Sequence, residues 1–88
     1  MTSNQLATIK TAATMLPALR VEMQANPLAR VQAGDLAVEV KGLGSKFYAG
    51  VYSGSGDEEV VVMCSGFYDT ATVAINKLSA GISRTLNA

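Results

Sequence analysis

The side chains that most often carry out catalysis are sparse in this chain. Histidine is absent, so the sequence lacks the commonest general base and a frequent metal ligand. Cys64 is the only cysteine, and its place in a predicted strand, between Met63 and Ser65, favours a small buried residue over an activated nucleophile. One cysteine with carboxylates is far from the usual zinc ligand sets. We therefore expect no catalytic site, no metal site and no cofactor, and we predict that the protein is not an enzyme.

The only cluster of charged residues is Asp57, Glu58 and Glu59. Its spacing does not match a calcium-binding EF-hand loop. Adjacent residues that enter a strand point in different directions, so the three cannot form a pair of carboxylates across a cleft. The simpler interpretation is a solvated loop. The alternative is an acidic tip that contacts a basic partner, which makes these three residues candidate interface residues.

Tyr48 and Tyr52 are the other candidate interface residues. Strand periodicity places them on the opposite side of their strand from Phe47, and tyrosine offers a large contact area with a polar tip. We expect Phe47 and Phe67 to pack in the core. Base stacking on the tyrosines is the weakest interpretation, because no RNP pattern is present and the net charge is zero.

Periodicity predicts the elements that position these residues. Residues 3–25 read as a helix that Thr2 and Gln5 would begin with a capping box. We expect it to be kinked or broken at Pro17, because proline removes a helical hydrogen bond. Residues 27–34 are ambiguous, and we favour a loop with some strand character. Three strands follow and then a second helix, which we expect Asp69 to cap. The apolar residues of this helix form one continuous stripe: Ala71, Ala74, Ile75, Leu78, Ile82 and Leu86. The predicted strands span residues 36–41, 47–52 and 59–67.

These elements predict an α+β fold with two layers, in the order helix–β–β–β–helix. Three strands form an antiparallel meander that both helices cover on one face. The third strand is apolar on both faces, which is typical of a strand that is central or covered on both sides. The other face of the sheet would carry Glu39, Lys41, Tyr48 and Tyr52 mixed with apolar residues of the third strand. It reads as too apolar for ordinary surface, so we expect a second copy or a partner to cover it.

Composition points to a small protein that associates with other chains. Eighty-eight residues form one domain, residues 1–88, and 49% of them are hydrophobic while only 16% are charged, against about 25% charged in typical proteins. A small monomer has too much surface to hide so many apolar residues. Seven basic and seven acidic residues cancel, which argues against nucleic acid and anionic membranes as partners. No signal peptide or membrane span is evident, so we expect a cytoplasmic protein.

These observations favour a non-enzymatic module for protein–protein interaction. It would act as a homodimer, or as a small inhibitor or accessory protein that occludes a surface of its partner. The alternative is a structural subunit of a larger viral or phage-like assembly, which the low charge and the high alanine, valine and glycine content also fit. A sheet that binds nucleic acid ranks third.

Overall fold

The computed structural model describes residues 2–88 and has an α+β fold, as the sequence predicts. One helix precedes and one follows, in the chain, a four-stranded antiparallel sheet whose strands lie side by side in chain order. The elements are α1 (Ser3–Met23), β1 (Arg30–Ala33), β2 (Leu36–Leu43), β3 (Lys46–Ser53), a single 3-10 turn (Gly56–Glu58), β4 (Val60–Cys64) and α2 (Ala71–Leu86).

The sheet has one strand more than the predicted meander. The additional strand is β1, in the segment for which a loop was favoured, and it pairs antiparallel with β2 with Val31 opposite Val38. Gly34 permits the tight turn between the two strands, because its φ of +60° lies in the left-handed region. β1 has only four residues, and so short an alternation of polar and apolar residues does not identify a strand in the sequence alone.

Helix α1 is continuous through Pro17, so the alternative of two separate helices is wrong, while a kink at Pro17 remains a prediction. The predicted capping box is confirmed: the Gln5 backbone N–H donates to Thr2 Oγ1 at 3.1 Å, and the Thr2 N–H donates to Gln5 Oε1 at 2.9 Å. Leu16 and Leu19, on either side of the exposed proline, are buried against the rest of the protein. This packing offsets the hydrogen bond that Pro17 cannot make.

Helix α2 begins one residue later than the predicted cap implies. Thr70 is the N-cap, and its Oγ1 accepts the Val73 backbone N–H at 3.2 Å. Asp69 instead forms an ion pair with Lys46. The predicted apolar stripe of α2 is buried at Ala71, Ala74, Ile75, Leu78 and Ile82.

Both helices pack on the same face of the sheet and form a single core with it. The largest fully buried side chains come from α1, α2, β2 and β3: Ile9, Leu19, Val38, Val40, Val51, Ile75 and Leu78. The opposite face, which we call the outer face, is not covered by either helix. The protein is therefore a two-layer structure in which helices cover only one face of the sheet.

Strand β4 lies at an edge of the sheet, so the prediction of a central or doubly covered strand is wrong. It pairs only with β3 among the described residues, and Val60 and Val61 are 60% and 59% exposed. A bulge leaves Val62 without a directly opposite partner on β3. No other strand of residues 2–88 pairs with the far side of β4, so its run of apolar residues lies at an open edge of the sheet.

Candidate protein interface

The outer face of the sheet divides into a charged half and an apolar half. The charged half consists of Arg30, Glu39, Lys41 and Glu59, which we call the ion-pair cluster. Arg30 donates to Glu39 Oε1 at 2.7 Å and to Glu59 Oε1 at 2.6 Å, and Lys41 Nζ lies 3.8 Å from Glu39 Oε1. The hydrogen bonds to Glu59 and Glu39 raise the pKa of Arg30, and the same contact lowers the pKa of Glu59. Two cations and two carboxylates thus compensate one another locally.

Tyr52 lies beneath the ion-pair cluster and is only 3% exposed, so the expectation that it is an exposed tyrosine is wrong. Lys41 Nζ sits 4.3 Å from the centre of its ring. The Tyr52 ring also lies across Gly50, where a Cβ atom would come within 2.7 Å of the hydroxyl. The hydroxyl is buried and has no hydrogen-bond partner among residues 2–88. Burial raises the pKa of Tyr52, and proximity to Tyr48 and Cys64 adds to the effect.

The apolar half follows β4 and the segment after it. It consists of Tyr48, Val61, Cys64 and Phe67, which we call the apolar strip. Val61 and Cys64 lie opposite Tyr52 and Gly50 of β3 and therefore share the outer face with them. The rings of Tyr48 and Phe67 meet edge to face with centroids 5.2 Å apart.

Two residues of the apolar strip contradict the sequence-based predictions. Phe67, expected in the core, is 57% exposed, and Cys64, expected to be a buried residue, is exposed. The two errors have different causes. A strand that continued to residue 67 would have directed Phe67 inward, but β4 ends at Cys64. Cys64 lies within β4 and is exposed because it points to the outer face of an edge strand. Tyr48 is half-buried, so part of its side chain remains on the surface.

The predicted acidic tip is divided by the fold. Asp57 and Glu58 belong to the exposed 3-10 turn, and neither forms an ion pair with another residue in the range 2–88. Glu59 turns back onto the outer face and binds Arg30. Gly54 shapes the loop, since a Cβ there would lie 2.5 Å from the Glu58 carbonyl oxygen. Two free carboxylates therefore stand just before the exposed edge strand, and the third belongs to the ion-pair cluster.

Grooves on the surface offer shape but little chemistry. One, with a volume of about 260 Å³, runs between the start of α1 and β4 and is lined by Asn4, Gln5, Thr8 and valines of β4. A second, of about 310 Å³, lies where the end of α1 meets the start of α2, beside Arg20 and Met23. Within residues 2–88, no three side chains of the types that ligate metals come together.

Comparisons with models of protein families, with curated proteins and with solved structures found no match for this chain. Neither of the two helices in residues 2–88 combines the length and the apolar character needed to span a bilayer. The structure brings Tyr48 together with three residues that sequence reasoning did not select for an interface: Val61, Cys64 and Phe67. Strand periodicity could have placed Val61 on the same face as Tyr52. That β4 is an exposed edge strand follows only from the order of strands in the sheet.

Proposed function

We propose that the protein is a non-enzymatic protein-binding module that uses the apolar strip and the free edge of β4 to hold another polypeptide. The observation that carries this proposal is the exposure of Val61 and Phe67 at a strand that pairs with β3 on one side only. Val60–Cys64 contains no charged residue and no proline, two of the devices that usually prevent an edge strand from pairing with another chain, although it does have a bulge at Val62.

Strand addition is the binding mode that this surface supports. An extended segment placed beside β4 would satisfy free backbone groups of the edge, while its alternate side chains would contact the apolar strip. The bulge at Val62 interrupts the regular ladder, so the side chains of the strip must supply much of the contact. Binding of this kind occludes the surface of a partner without any reactive group. This fits a sequence without histidine and the lack of a cluster of metal-ligating side chains among residues 2–88.

A matched pair of valine substitutions tests the proposal. Val61 on β4 and Val21 on α1 are 59% and 61% exposed, so a lysine at either position has similar access to solvent. Val61→Lys adds a charge to the proposed contact surface, and Val21→Lys adds the same charge elsewhere.

The measurement is quantitative capture by the tagged protein from extracts of cells that carry the gene. We expect the wild type and Val21→Lys to retain the same polypeptide and Val61→Lys to lose it. An untagged copy of this chain counts as such a polypeptide. Equal retention by both variants would show that β4 is not the binding surface. Capture of nothing by the wild type would remove the proposal altogether.

A further inference from the structure

We infer that the polypeptide beside β4 is a second copy of this chain, joined through antiparallel contact of the two β4 strands about a two-fold axis. This inference rests on the proposed function and commits it to one occupant. The resulting sheet would be continuous across both copies, with the helices of both on one face. The two apolar strips would then adjoin on the other face.

The distribution of charge along β4 favours this arrangement. Asp57 and Glu58 precede the strand, while two lysines lie beyond its other end. One of them, Lys46, is paired with Asp69, so this lysine end carries two cations and one carboxylate. Lys46 begins β3, whose Gly50 lies opposite Cys64. Lys77 Nζ stands 6.0 Å from the ring centre of Tyr68. Tyr68 pairs with Phe47, the residue that follows Lys46 in β3.

Antiparallel contact therefore brings the acidic turn of each copy towards the lysine end of the other. Parallel contact would instead place Asp57 and Glu58 beside the same residues of the second copy, where like charges repel. A closed two-fold pairing uses the same patch twice and leaves neither β4 edge open. The net charge of zero adds no overall repulsion between copies.

The orientation is tested by removing the acidic charges. Sedimentation equilibrium of the purified protein, from micromolar to millimolar concentration, measures the dissociation constant of the dimer. We expect Asp57→Asn combined with Glu58→Gln to weaken the dimer by about tenfold, because the attraction between acidic turn and lysine end is lost at both symmetry-related ends of the contact. Glu22→Gln removes an exposed carboxylate of α1 and is expected to leave the dissociation constant unchanged.

Each outcome separates this inference from the proposed function. Tighter association of the doubly neutralised variant would overturn the antiparallel orientation, because it would show that the two acidic turns repel each other. A wild type that stays monomeric at all concentrations would overturn the second copy as occupant. The capture experiment with Val61→Lys would still decide whether β4 binds a different polypeptide. Loss of the dimer in Val61→Lys but not in Val21→Lys, together with the expected charge effect, supports both.

Discussion

The two edges of the sheet are built differently, although both are exposed in a single copy. β1 has four residues, and its Arg30 binds carboxylates from two other segments of the chain. β4 has five residues without a charge and ends in an exposed thiol. At the first edge, the charge of Arg30 is neutralised by carboxylates of the same chain. The second leaves apolar side chains in water, a cost that association with another chain removes. This contrast is the reason that the proposed binding surface lies at β4 and not at β1.

The outer face repeats the contrast at the level of its two halves. The ion-pair cluster covers Tyr52 and fits closely, as the approach of the ring to Gly50 shows. The apolar strip has nothing above it among residues 2–88 and leaves Phe67 more than half exposed. Substitutions in the charged half should therefore change the stability of the fold, and those in the apolar half should change association.

The largest effect on stability is expected from Gly50→Ala. The new methyl group would meet the buried Tyr52 ring, which Lys41 holds from above, so we expect a loss of about 2 kcal/mol in the free energy of unfolding. Urea denaturation measures it. Gly42→Ala is the matched control on β2, because its Cβ would only touch Leu28 at 3.4 Å. Equal stabilities of the two variants would contradict a closely packed Tyr52.

Tyr52→Phe is expected to stabilise the fold by about 1 kcal/mol at neutral pH, since it removes a buried hydroxyl that has no partner among residues 2–88. The difference from wild type should grow above pH 10. The folded state raises the pKa of Tyr52 above its ordinary value of 10.0, so the wild type loses stability where the unfolded tyrosine ionises. Tyr48→Phe serves as the control. A destabilised Tyr52→Phe variant would show that the hydroxyl is satisfied.

A smaller, pH-dependent effect is expected from Glu59→Gln. Arg30 lowers the pKa of Glu59 below its ordinary value of 4.5, so the contact stabilises the fold above that pH and this contribution is lost as the pH falls through the folded value. The variant should be less stable than wild type at neutral pH and should differ less from it at about pH 3. Thermal unfolding at both pH values provides the measurement. A gap that does not narrow in acid would contradict the ion pair.

The smallest effect on the fold is expected from Cys64→Ser, which should change the free energy of unfolding by less than about 0.5 kcal/mol because the residue is exposed. In the wild type, a thiol reagent should label Cys64 in the folded protein, and labelling should slow as the protein concentration rises and the strip becomes covered. Labelling that proceeds only at the rate of unfolding would contradict its exposure in the single copy. Concentration-independent labelling would contradict coverage of the strip by a second copy.

The errors of sequence-based prediction concentrate where the chain contacts something distant along the sequence. β1 is recognisable only beside β2, and Asp69 fails to cap α2 because Thr70 is one residue nearer and Lys46 binds the carboxylate instead. Of the predicted interface residues, the structure leaves Asp57, Glu58 and part of Tyr48 accessible. It withdraws Tyr52 into the protein and Glu59 into the ion-pair cluster. Their role in binding stays a prediction.

The sequence alone determined the α+β class, the capping box of α1 and the buried stripe of α2, because each follows from local periodicity or from groups within a few residues of one another. It also determined the lack of histidine chemistry. Only the tertiary structure decided that β4 is an edge, that Phe67 and Cys64 face solvent and that Tyr52 does not. The order of strands and the cover over a side chain depend on contacts between segments that lie far apart in the chain, and no local pattern encodes them.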